Sequence, residues 1–168
     1  PLAAPVSDRG VVGQRPYIKP LGDVLDTFAR YGVVLVDRGG GHLFMFNLGT
    51  LEGVSGVAGE DIKRHKQGGW AAARLQRRED EAAYRNLKEV AEMTSDFVHS
   101  GDVRRLILGG AEGNVAQFAA MLPKSVQQIV VGTINADVAA SPSEIGEKSL
   151  ALIREVAAAR KAKLVDQM

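Results

Sequence analysis

The apolar positions from residue 83 onward follow a helical rhythm. Ala83, Leu87, Val90, Thr94 and Phe97 recur at alternating spacings of four and three, which predicts one buried stripe on a helix running from about Ala71 to about Val98. Upstream the rhythm changes. "VVLVD" (33–37), "RGGG" and "HLFMFNLG" (42–49) read as two strands around a glycine turn, a hairpin, and "TLEGVSGVAG" (50–59) as a third strand diluted by glycine. Downstream, "VRRLILGG" (103–110) is a strand that feeds a short helix through "NVAQFAAML" up to Pro123, and "VQQIVVGTI" (126–134) is the last strand. "SPSE" (141–144) has the pattern of a capping box with proline at the first helical position, opening a final helix to about Ala159.

Three strands, helix, strand, helix, strand, helix is the order of an antiparallel meander followed by β-α-β units. The expected class is α/β, a mixed five-stranded sheet with flanking helices, in the element order of ribonuclease-H-like domains. Residues 1–19 are rich in Pro, Gly and Ala without periodicity and read as an arm or linker. "PLGDVLDTFARYG" places Leu21, Val24, Leu25 and Phe28 on one helical face with Gly32 as its stop, so residues 20–31 form a first, linker-like helix of a domain spanning 20–160. The chain opens at Pro1 and closes on "KAKLVDQM", a helix-like pattern without a stop. The expectation is therefore a piece of a longer protein, with 161–168 beginning a following domain.

Composition narrows the chemistry. The 168 residues are 45% apolar and 24% charged, ordinary for a globular domain. Cysteine is absent, which excludes disulfides, thiol nucleophiles and zinc–thiolate sites and fits a cytoplasmic setting. No apolar run is long enough to span a bilayer, and no signal-peptide pattern is present, so a membrane partner is not expected. The net charge of +1 leaves no global field for nucleic acid, so any such affinity must come from local clustering.

One segment supplies that clustering. Between Ile62 and Arg78 there are six Lys/Arg and no acid: Lys63, Arg64, Lys66, Arg74, Arg77 and Arg78, with His65 among them. Inside it lie Gln67, the pair Gly68–Gly69, and Trp70, the only tryptophan of the chain. A Gly-Gly pair is most simply a flexible loop entering a helix. In this setting the glycines also permit close backbone approach to a ligand, and the helix start offers free N–H groups to anions. The cations suit phosphates, and His65 and Gln67 can touch sugar or base edges. Trp70 has two readings, a core side chain or an indole stacking on an unpaired base.

Other constellations carry less. "GGAEGN" (109–114) follows a strand and precedes a helix, but it lacks dinucleotide-loop spacing and would put Glu112 among phosphates, so it reads as a strand-to-helix turn. Asp37 ends a first strand, where a ribonuclease-H-type nuclease holds a metal carboxylate. Glu60 and Asp61 sit at a loop, and Asp137 or Glu112 are permitted as partners but not demanded, so neither a metal nor another cofactor is expected. His42 and His99 are isolated, and no serine has a triad context.

"HKQGGWAAARLQRREDEAAYRNLKEVAE" (65–92) resembles the central domain of the class-1 release factors of archaea and eukaryotes and of Pelota, most closely a bacterial branch of that superfamily. "RRLILGGAEGNVAQFAAMLP" (104–123) resembles that domain's next strand, turn and helix, and the likeness runs over roughly residues 31–160. The resemblance implies a domain that reaches, like a tRNA acceptor arm, into the peptidyl-transferase centre on a Gly-Gly-Gln tip. Gly68 and Gly69 match the glycines, and Arg74 and Arg77 match the arginines that follow. Trp70 stands where the glutamine that positions the attacking water would be, and an indole cannot accept a hydrogen bond from water as a carboxamide does.

Three functions are thereby open. The first is an A-site ribosome-binding factor in rescue, quality control or hibernation, contacting rRNA or tRNA but not DNA and working with neighbouring domains of its own chain. The second is an active peptidyl-tRNA hydrolase using Gln67 or backbone groups. The third is a stress-related protein-interaction module that has lost the ribosome.

Overall fold

The computed structural model describes Gly22, Leu25 and residues 29–58 and 70–166. The expected helix over 20–31 lies almost wholly outside them. Strand β1 (Tyr31–Asp37) occupies the middle of the sheet, antiparallel to β2 (Gly40–Asn47) and parallel to β4 (Arg105–Gly110). β3 (Thr50–Ala58) pairs antiparallel with β2, and β5 (Val130–Ile134) pairs parallel with β4, giving the order β3-β2-β1-β4-β5. The mixed five-stranded sheet is the one that the element sequence predicts, and its strand order is that of a ribonuclease-H-like sheet.

The uninterrupted apolar run of β1 is explained by its position, because a central strand covered on both faces has no solvent side to make polar. Val34 and Val36 point to one face, with Leu43, Leu106 and Leu108. Tyr31, Val33 and Leu35 point to the other, with Phe44, Phe46 and Ile107. The first face is covered by α1 (Trp70–Ser100) through Leu87 and Val90, and by α2 (Glu112–Met121) through Val115 and Phe118. A short turn of helix, α3 (Lys124–Gln127), adds Val126 to the same layer. The second face is covered by α4 (Pro142–Asp166) through Ile145 and Ile153. At its start the Glu144 N–H donates to Ser141 Oγ at 3.2 Å, the cap that "SPSE" predicts.

Three sequence expectations are corrected. Gly32 does not stop a helix; it lies in β1 opposite Met45 and Leu106. Its missing Cβ makes room for α1, since a β-carbon there would sit 2.8 Å from Phe97 Cε1. The strand expected over 126–134 begins only at Val130, because residues 124–127 close a helical turn on the Pro123 carbonyl before the chain extends. The last helix does not end near Ala159 but continues to Asp166, its final turns exposed. Among the described residues no helix is long and apolar enough to cross a membrane.

Candidate nucleic-acid interface

Helix α1 runs antiparallel to β1. Phe97 packs over Gly32, while Asp80 and Asn86 meet the β1–β2 turn at the other end of the strand. Arg38 Nη2 donates to Asp80 Oδ1 at 2.6 Å, and Asn86 Nδ2 donates to the Arg38 carbonyl at 3.0 Å. Residues 70–79 therefore lie past the end of the sheet, about 15 Å of helix at 1.5 Å per residue. The first buried side chain of α1 is Ala83, and from there the stripe Ala83, Leu87, Val90 and Thr94 is buried as the spacing requires.

Arg74, Arg77 and Arg78 sit on the overhanging part and are exposed. At ~100° per residue they share one face of the helix, and that face is opposite the stripe that enters the core. Their separation from the core face explains how three cations are tolerated here: none needs to be desolvated for the domain to fold. Among the described residues none of the three has an ion-pair partner, whereas Asp80, just after them, is paired with Arg38. The overhang thus presents a row of guanidiniums, each with a planar fork suited to phosphate.

Trp70 is the first residue of α1, directly after the Gly68–Gly69 pair in sequence. Gly68, Gly69 and the residues Lys63, Arg64, His65, Lys66 and Gln67 lie outside the described residues, as does the side chain of Trp70. Of the sequence-predicted site, the structure brings together Arg74, Arg77 and Arg78. What the sequence did not disclose is their anchor: Asn86, a buried polar residue on a core helix, is the signal that a backbone group elsewhere needs a partner.

The carboxylates considered for metal binding serve turns instead. Asp37 Oδ1 accepts the Gly39 N–H at 2.7 Å and Asp137 Oδ1 accepts the Ala139 N–H at 2.8 Å. Among the described residues no three of His, Asp and Glu converge; Glu60 and Asp61 lie outside them. "GGAEGN" is a strand-to-helix turn: Gly110 ends β4 at φ 136, against the Val36 carbonyl, and Glu112 opens α2. His42 Nδ1 lies 3.2 Å from the Val138 carbonyl.

Fold and site together define a ribonuclease-H-like α/β domain with an arginine-faced helix carried beyond its sheet. Residues 16–154 match the bacterial archaeo-eukaryotic release factor family 10, and the chain belongs to that family. It is similar to peptide chain release factor subunit 1 of Methanococcus maripaludis, 30% identical over 116 residues covering 61% of this chain and 26% of that protein. It is similar also to the eukaryotic peptide chain release factor subunit 1 of Dictyostelium discoideum, 32% identical over 96 residues covering 55% of this chain and 22% of that protein. The chain thus spans about a quarter of the length of these relatives. The crystal structure of an archaeal translation termination factor aligns over 88% of this chain and 44% of its own, with 17% identity and a TM-score of 0.48.

Proposed function

We propose that this domain binds the ribosome in the cytoplasm as a release-factor-like element, its basic tip over residues 63–78 contacting rRNA or tRNA in the A site, without efficient peptidyl-tRNA hydrolysis. The observation that carries the reading is the exposed row Arg74, Arg77 and Arg78 on the overhang of α1, in a member of a release factor family. Phosphate contacts of this kind position a protein on RNA and contribute most of its salt-sensitive affinity. Trp70, standing where the resemblance to class-1 release factors puts their catalytic glutamine, supports binding over cleavage, because an indole N–H can only donate and an indole ring is suited to stacking on bases. Rescue, quality control or hibernation would be the context, set by neighbouring domains.

The test is co-sedimentation with ribosomes, comparing the wild type with a variant carrying Arg74→Ala, Arg77→Ala and Trp70→Ala. Loss of co-sedimentation by the triple variant is expected; an unchanged profile refutes the reading. In parallel, ribosomes bearing labelled peptidyl-tRNA report hydrolysis. No release by the wild type is expected, and release would overturn the non-hydrolytic half, with Gln67 then the first residue to substitute.

A further inference from the structure

The end of the sheet remote from the α1 overhang carries a second basic cluster that no stretch of sequence reveals. Arg30 precedes β1 and Arg104 precedes β4, and the Arg104 N–H donates to the Arg30 carbonyl at 3.3 Å, so the parallel pairing of the two strands sets these arginines side by side. Arg105, Arg160 and Lys161 complete a cleft of about 830 Å³, with the last turns of α4 as one wall. Among the described lining residues, five cations thus stand against one carboxylate, Asp102.

The five do not have the same task. Arg30 is a strut: its Nε lies 3.0 Å from Glu52 and its Nη1 donates to the Gly101 carbonyl at 3.2 Å. Arg105 and Lys161 also have partners within the protein. Arg104 is 73% exposed and reaches Asp102 only at 4.0 Å, a separation at which an exposed pair contributes little. Arg160 is exposed on α4 and has no ion-pair partner among the described residues. The ligand-facing charge is therefore that of Arg104 and Arg160, held over a floor that already carries three further cations. Like charges gathered this way repel, and a bound polyanion offsets that repulsion.

We infer that this cleft is a second RNA-backbone site, in which Arg104 and Arg160 contact phosphates of a strand that lies away from the α1 overhang. Two observations favour RNA over an acidic protein segment. Four of the five cations are arginines, whose forks match phosphate oxygens. Among the described lining residues there is no Trp, Tyr or Phe, the anchors a protein interface uses, whereas exposed Leu25 and Leu164 supply apolar surface for sugar and base. β1 spans roughly 23 Å at 3.3 Å per residue, and the α1 overhang adds about 15 Å. The two sites thus hold RNA elements some ~40 Å apart. The inference stands on the cleft alone and does not need the tip reading.

The experiment is the salt dependence of binding to a fluorescein-labelled single-stranded oligoribonucleotide. It compares the wild type, Arg104→Ala/Arg160→Ala, Arg74→Ala/Arg77→Ala, and Lys88→Ala as a control on the exposed side of α1. Each lost phosphate contact lowers the slope of log affinity against log salt by about 0.7 for a single strand, so the cleft double variant is expected to lose about 1.4. The control is expected to keep the wild-type slope, and urea midpoints are expected to match throughout. If the cleft variant keeps the wild-type slope while the tip variant loses it, the inference is overturned and the tip reading stands. The reverse pattern leaves the inference standing and refutes phosphate contact at the tip. No binding by the wild type at about 50 mM salt, where several phosphate contacts register strongly, also overturns it. So does a labelled polyglutamate peptide that binds more weakly to the cleft variant when RNA affinity is unchanged.

Discussion

Two contacts fasten the β1–β2 turn to α1, and burial ranks them in the opposite order to distance. The Arg38–Asp80 pair is the shorter at 2.6 Å, but its side chains are 43% and 58% exposed. An ion pair in that setting contributes about 0.2–1 kcal/mol, because water already solvates both groups and salt screens them. The Asn86 bond to the Arg38 carbonyl is longer at 3.0 Å, yet Asn86 is only 3% exposed. Asn86→Ala leaves a carbonyl at the base of the overhang without its donor, a loss of about 1–3 kcal/mol. In urea, with a slope of about 1.5–2 kcal/mol per molar for a domain of this size, that lowers the midpoint by roughly 1 M. Asp80→Ala should move it by less than half as much, and raising salt to about 1 M, where the screening length is only ~3 Å, should remove most of that smaller effect. The Asn86→Ala shift should be the same at both salt concentrations. Equal shifts for the two variants, or an Asn86→Ala effect that fades with salt, would refute the ranking.

Three further outcomes are expected. Gly110→Ala puts a side chain at φ 136 against the Val36 carbonyl, backbone against backbone with nothing flexible to yield, and should destabilise by about 3 kcal/mol or more in the same urea assay. Ser141→Ala removes the cap on the Glu144 N–H and should cost about 1 kcal/mol, with helix content by circular dichroism nearly unchanged. Burial pushes the Tyr31 phenol above its usual value near 10, partly countered by its hydrogen bond to Ser149. The fold therefore keeps its proton while the unfolded chain loses it above pH ~10, and stability falls there by up to about 1.4 kcal/mol per pH unit. Tyr31→Phe should flatten that alkaline decline at a neutral-pH cost of about 1 kcal/mol; an unchanged alkaline slope would show that the phenol titrates alike in both states.

What could be read from the sequence depended on whether the responsible forces act locally. The stripe Ala83–Leu87–Val90–Thr94 and the cap at Ser141 are set by neighbours three and four residues away, so periodicity and motif found them. Gly32 misled because the same residue serves as a helix stop or as the gap under a crossing side chain, and only Phe97, far along the chain, decides between them. "VQQIVV" has the branched apolar residues of a strand; what converts its start into helix is the turn in which the Val126 and Gln127 N–H groups donate to the Pro123 carbonyl. Within the basic segment, Arg74, Arg77 and Arg78 were legible as a linear cluster, and the structure adds that they share a face. The cleft around Arg104 and Arg160 was not legible at all, because its cations come from three separate stretches that only the parallel pairing of β1 with β4 and the path of α4 bring together.

The unbroken course of α1 has a mechanical consequence. One helix carries both the residues locked into the core and the arginines beyond it, so the compass bearing of Arg74 is keyed to Leu87 and Val90 far behind it. A single residue inserted between Arg78 and Glu79 would swing the whole tip by about 100° and advance it by only ~1.5 Å, whereas four would carry it forward about 6 Å and turn it only ~40°. The domain is in this sense a screw with a fixed thread: how far its end reaches and which way it faces cannot be altered independently.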